Sequence, residues 1–145
     1  MPDFQMPEEL YYHPETHLWA KVEGDLVRVG LDDMAQYSAR AIVNIRLKPP
    51  GRPIRKDRPF GTMEAGKYVG PLNLPVAGKV VEINEEVMED PKLANRDPYD
   101  AGWLALVDPE DLARDLPTLI HGEMLQPWVD KTVADWTARG IIVES

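Results

Sequence analysis

A chain of 145 residues with no cysteine and a formal net charge of −9 can bury one core without disulfides, and it offers no thiol nucleophile or Cys-based metal site. Sixteen basic residues stand against twenty-five acidic ones with no dense Lys/Arg run, a balance that repels a phosphate backbone and excludes nucleic acid as a partner. Fourteen prolines, roughly twice the ordinary share, favour many short elements and frequent turns, hence a mainly β fold.

In chain order, Met1 to Glu9 have neither the basic start nor the apolar core of a secretory leader, and no later run approaches membrane-spanning length. A cytoplasmic protein with no membrane partner is expected. Trp19-Ala20-Lys21-Val22 and Leu26-Val27-Arg28-Val29 alternate around Glu23-Gly24-Asp25, predicting a β-hairpin with a three-residue turn. Asp32 or Asp33 caps a short helix through Tyr37, and Ala41 to Leu47 resumes a strand that Pro49-Pro50-Gly51 ends. Phe60 to Met63 and Leu74 to Val81 read as strands on either side of a turn region.

Asp90-Pro91 predicts a helix start and Asp97-Pro98 its stop, after which Trp103 to Val107 reads as a buried strand. Asp108-Pro109-Glu110-Asp111 opens a helix toward Leu116, and Pro127 opens another that Gly140 closes. In that last helix Val129, Val133 and Trp136 fall on one stripe, expected to pack against the sheets. Residues 1–107 therefore form the main domain, and 108–145 a helical extension packed on it. A V-x-I pattern recurs at Val43-Asn44-Ile45 and Val81-Glu82-Ile83, suggesting two related β halves.

Lys67, within Glu64-Ala65-Gly66-Lys67-Tyr68-Val69-Gly70-Pro71, is the residue with most chemical promise. Glycines on both sides and a proline returning the chain lift its side chain onto an exposed turn. On spacing alone an ordinary turn lysine is the simpler explanation, since the chain has seven lysines. His13 and His17 lie close together near Trp19, but a structural role is favoured over metal ligation, and His121 has no evident partner. Glu85, Glu86, Glu89 and Asp90 lack a ligand-loop pattern and read as a solvated acidic face. Trp128 and Trp136 are either core residues or partner anchors. No metal site and no catalytic constellation emerge.

Several ordered motifs change the weighting. His17-Leu18-Trp19, Val29-Gly30-Leu31, Asp33-Met34-Ala35-Gln36, Phe60-Gly61-Thr62-Met63-Glu64 followed by Lys67, Pro75-Val76-Ala77-Gly78, Asp97-Pro98-Tyr99 and Gly102-Trp103-Leu104 together resemble the H protein of the glycine cleavage system, a member of the lipoyl/biotinyl carrier group. The resemblance runs from about Tyr11 to Leu106. It implies a lipoyl-domain-like flattened barrel or sandwich with short helices and a C-terminal helical extension. It implies covalent lipoic acid on Lys67, with Glu64, Gly66 and Tyr68 in the hairpin that the lipoylating enzyme recognises, and Gly51 and Gly78 matching glycines of lipoyl domains. A biotin carrier would show Met-Lys-Met, whereas Lys67 lies between Gly66 and Tyr68. Such a protein is a carrier and not an enzyme.

The departures are informative. Where the family's H-E-W glutamate helps hold an aminomethyl amine, this chain has Leu18, and the variable position of D-x-A-Q is Met34. An arm pocket with leucine and methionine offers an amine no carboxylate. With its Gly66-Lys67-Tyr68 hairpin and C-terminal helix, the chain is similar to the H-protein-like lipoate-binding proteins of sulfur-oxidising microbes. That similarity implies sulfur-bound cargo delivered to a heterodisulfide-reductase-like complex by thiol–disulfide exchange on the arm. A lipoate ligase or lipoyl transferase would load Lys67, and a dihydrolipoamide dehydrogenase is a further partner the resemblance allows. Two alternatives remain open: an H protein of glycine cleavage carrying an aminomethyl group, and an unmodified H-like scaffold.

Overall fold

The computed structural model describes residues 3–143. The described residues form nine strands: β1 (Tyr11–Tyr12), β2 (Leu18–Glu23), β3 (Leu26–Leu31), β4 (Ile42–Leu47), β5 (Pro53–Ile54), β6 (Pro59–Ala65), β7 (Tyr68–Asn73), β8 (Gly78–Ile83) and β9 (Ala105–Pro109). They form a six-stranded sheet, β1-β2-β3-β9-β8-β5, and a three-stranded sheet, β4-β6-β7. The core lies between the two sheets: Val27, Val29 and Val107 from one meet Ile45, Phe60, Met63 and Leu72 from the other. Burying each such side chain contributes about 1.5–3 kcal/mol. The architecture is thus mainly β, as the prolines and the motifs imply, in two sheets and not one closed barrel.

The β2–β3 hairpin forms, but with a two-residue turn, since Glu23 pairs directly with Leu26 and Gly24 takes φ +61°. That left-handed conformation is what a tight hairpin turn requires and glycine supplies. Trp19 is fully buried, donates from its indole nitrogen to the Pro98 carbonyl at 3.0 Å, and lies so close to Gly30 that a Cβ there would meet its ring at 2.6 Å. Three of the sequence motifs thereby prove to be one packing unit.

Helix α1 (Asp33–Ala39) is capped by Asp32, whose carboxylate accepts from the Ala35 amide. The region from Asn84 to Asp97 contains two short helices where one is expected: α2 (Glu85–Glu89), capped by the Asn84 side chain, and α3 (Leu93–Arg96). Glu85, Glu86, Glu89 and Asp90 are exposed, a solvated acidic face as read. Strand β9 continues through Pro109, so the next helix, α4 (Leu112–Asp115), begins at an Asp111 cap rather than at Asp108. Helix α5 (Leu125–Ala138) begins two residues before Pro127, and Gly140 at φ +77° follows its end.

The V-x-I echo has a physical counterpart. Val43 and Val81 each sit at a register shift, opposite no partner of their own on β6 and β9, and both are exposed. The repeated pattern marks a bulge in each sheet, although the sheets differ in size.

The apolar stripe of α5 packs differently from expectation. Leu125, Trp128 and Val129 join a second cluster with Leu10, Tyr12 and Trp19, covering the N-terminal segment and β1 instead of an open sheet face. No described helix is long and apolar enough to cross a membrane.

Candidate functional site

Lys67 is held by β6 and β7, which pair from Pro59↔Asn73 to Ala65↔Tyr68 and leave only Gly66 and Lys67 at the tip. The turn is tighter than the expected span from Glu64 to Pro71. Pro71 reads as a chain breaker, yet it lies inside β7, because β7 is an edge strand where a missing N–H is tolerated. Consequently the strand read from Leu74 begins at Gly78, and residues 74–77 are a buried bend.

The tip does not hang free. The Gly66 amide donates to the Ala41 carbonyl at 3.0 Å and the Lys67 amide to Ala39 at 2.9 Å, pinning the turn to the segment between α1 and β4. The Lys67 side chain remains exposed. Gly66 is not in the left-handed region, and an added Cβ would meet Arg40 Cβ at an ordinary 3.4 Å, so neither strain nor space requires glycine there. Gly70 is more constrained: the Tyr68 ring folds back over it, and the Tyr68 hydroxyl donates to the Pro71 carbonyl at 2.7 Å. Partial burial pushes the Tyr68 phenol up from its ordinary value. Glu64 and Val69 face solvent as a cross-strand pair, Val69 being 77% exposed.

Beside Lys67 lies a cavity of about 600 Å³, within the range of small-ligand sites. Leu18, Leu31, Met63 and Leu72 form its apolar floor; Ala35, Ser38 and Ala39 of α1 line one side. The opposite wall is the end of α5, with Trp136, Arg139, Gly140 and Ile141. Lys67 and Arg40 also line it. Two buried polar atoms without a hydrogen-bond partner among the described residues, Thr16 Oγ1 and Asn73 Oδ1, belong to lining residues. Such orphans cost free energy unless something enters to meet them.

The structure sorts the candidate residues. It brings Leu18 to the cavity that Lys67 lines. Met34, expected in the arm pocket, is fully buried and does not line the cavity, because it lies off the α1 face formed by Ala35 and Ala39. Gly51 and Gly78, grouped with the hairpin, lie away from it: Gly78 opens β8 of the other sheet and Gly51 is in the turn before β5. Gly51 donates its amide to Val80 at φ +115°, and Gly78 lies where a Cβ would strike the Asp108 carbonyl oxygen and Val107. Their requirement is backbone geometry and close strand approach.

The histidines are structural. His13 Nδ1 accepts from the Glu15 and Thr16 amides, leaving Nε2 to donate to Asp57 at 2.8 Å. His17, at φ +61°, bonds Asp32 through Nδ1 at 2.9 Å and is flanked by the rings of Trp128 and Trp136 at 4.7 and 5.0 Å. Asp32 is fully buried, and burial pushes its carboxyl upward against the pull of His17 and the Ala35 amide. His121 stacks on Tyr11 at 3.9 Å and donates from Nδ1 to the Leu10 carbonyl at 2.9 Å. Among the described residues no group of three or more potential metal ligands exists.

The glycine cleavage H-protein family model matches residues 10–132. The chain belongs to that family. It is 44% identical over 119 residues to glycine cleavage system H protein 2 of Aquifex aeolicus, covering 81% of this chain and 74% of that protein. It is 39% identical over 135 residues to H protein 3 of the same organism, covering 90% and 84%. The crystal structure of an H protein from Mycobacterium marinum superposes with a TM-score of 0.76 at 27% identity, covering 88% of this chain and 99% of that one. H proteins are non-catalytic shuttles that carry lipoate covalently on a lysine and work with lipoyl-modifying enzymes and other components of a multienzyme system. An exposed lysine at a pinned turn, beside a cavity with unmet polar atoms, fits that group.

Sequence reasoning missed Arg40, Arg139 and Ile141 as cavity residues. Arg40 follows α1 at φ +67° with no local pattern to announce it. Arg139 and Ile141 reach the cavity through the path of α5, which no motif encodes.

Proposed function

We propose that this protein is a lipoyl carrier loaded on Lys67, whose arm folds into the adjoining cavity and delivers sulfur-bound cargo to a heterodisulfide-reductase-like sulfur-oxidising complex. The observation that carries the reading is that Lys67 itself lines the cavity together with Leu18. When bound, the dithiolane supplies reversible thiol–disulfide chemistry. The protein's residues hold and shield the group: the Ala39 and Ala41 carbonyls fix the tip, and the apolar floor excludes water from the arm. Glu64, Tyr68 and Val69 present an exposed strip for the lipoate ligase or lipoyl transferase.

Leu18 supports sulfur over amine cargo. A cationic aminomethyl group wants a carboxylate, and among the described residues the one carboxylate residue lining the cavity is the exposed Glu15. The relatives numbered 2 and 3 in Aquifex aeolicus also indicate that this family occurs in several copies within one organism, which leaves room for more than one cargo. The names of these relatives favour a second reading, an H protein of glycine cleavage.

Intact mass of the native protein with peptide mapping tests the carrier reading: a lipoyl-sized increment on Lys67, absent in Lys67→Arg, is expected, and a bare Lys67 in cells with active lipoylation would overturn it. Aminomethyl loading by glycine decarboxylase at the rate of an established H protein would replace sulfur cargo with the second reading.

A further inference from the structure

We propose that the cavity mouth selects an anionic group borne on the lipoyl arm, with Arg40 and Arg139 as specificity-determining residues; this rests on lipoyl-Lys67 folding into the cavity. Among the described residues, Arg40, Lys67 and Arg139 line the cavity against one acidic residue, Glu15. Acylation removes the charge of Lys67, so after loading two guanidinium groups outweigh a single carboxylate among the described lining residues.

Arg40 is the better placed of the two. Its guanidinium stacks over Tyr37 at 4.4 Å and donates to the Tyr37 and Ile141 carbonyls, each at 3.0 Å. Those bonds orient the group while using carbonyl acceptors, so among the described residues they leave its charge without a carboxylate. Further N–H groups of its five remain for a ligand. Arg139 pairs with Asp135 at 3.2 Å, but both side chains are exposed, and such a helical pair exchanges readily for another anion. The unmet Thr16 hydroxyl adds a donor to the same lining, whereas the unmet Asn73 atom is its amide oxygen, an acceptor that offers an anion nothing. An ammonium cargo would meet like charge here. A terminal sulfonate or persulfide anion would meet the planar donors that bind oxyanions well.

Sulfite is a direct probe on the lipoylated protein. Its sulfur lone pair attacks one sulfur of the dithiolane; the S–S bond breaks, a new S–S bond forms as an S-sulfonate, and the other sulfur leaves as a thiolate that takes a proton. No outside oxidant or reductant is needed. The equilibrium constant for adduct formation, read by mass and by loss of dithiolane absorbance, is compared with that of free lipoamide.

The protein is expected to favour the adduct by about tenfold, Arg40→Gln and Arg139→Gln each losing about threefold, Arg40→Lys retaining most of the preference, and added salt eroding it. Equal constants for protein, variants and free lipoamide would overturn the inference. The underlying reading is checked separately by alkylating the reduced arm with a neutral reagent. Slower alkylation than free dihydrolipoamide, with unchanged sulfite constants, sinks the charge selection alone; alkylation at the free rate sinks the folded-in arm, and the inference with it.

Discussion

The cavity has two walls of different standing. Leu18, Leu31, Met63 and Leu72 belong to the main core cluster and are at most 5% exposed, whereas Trp136, Arg139 and Ile141 lie beyond the β body and are half-buried or exposed. The extension that carries the second wall is tied down at separate points: the Asp115 carboxylate accepts the Ala77 amide at 2.8 Å, Trp128 and Trp136 flank His17, and Arg40 grips the Ile141 carbonyl. A wall made of core cannot change without threatening the fold. A wall held by a few ties can be altered to suit a cargo while the β body stays intact.

Removing a core-wall side chain should be the most damaging change. Leu72→Ala is expected to lose about 3 kcal/mol of unfolding free energy by leaving a void between the sheets, measurable by urea denaturation; a loss no larger than that from a wall residue on α5 would erase the distinction. Asp115→Ala removes the buried tie at the start of the extension and strands the Ala77 amide, while Arg114 keeps its bond to Glu110. A loss of about 2 kcal/mol is expected, with proteolysis reporting early release of residues 110–143. Trp136→Ala should lower global stability by only about 1 kcal/mol, since its ring is half-buried, yet open the cavity so that a lipoyl arm is reduced faster by a bulky phosphine.

The smallest effect is a pH dependence. Burial works to raise Asp115, but the Arg114 guanidinium, the Ala77 amide and the charge of Lys56 outweigh it and hold its carboxyl below the ordinary value. A depressed folded-state value means the stabilisation is fully present above the unfolded value of about 3.9 and disappears as pH falls through the folded one. Thermal melts taken downward from pH 5 should show this loss in the parent and not in Asp115→Asn.

Much of the frame was legible because its signals are local. The β2–β3 alternation, the Asp32 cap and the Gly24 turn each follow from neighbouring residues, and the spaced motifs marked the lysine hairpin. Strand β7 was not legible, since Pro71 reads as a breaker until its place at a sheet edge is known. Met34 could not be told from a cavity residue, because the rotation of α1 is set by what it packs against. The cationic rim was equally hidden: Arg40 and Arg139 are ninety-nine positions apart, and only the path of α5 across His17 brings them to one opening.

Pro71 on the outer strand has a further consequence. A shuttle serves by brief visits, and its throughput depends on leaving each host as readily as arriving. An outer strand with a continuous row of N–H donors invites a neighbour's strand to zip along it, a long-lived embrace. The missing donor at Pro71, two strand positions from exposed Val69, interrupts that row beside the Lys67 turn, so a lasting strand-to-strand embrace along this edge is disfavoured.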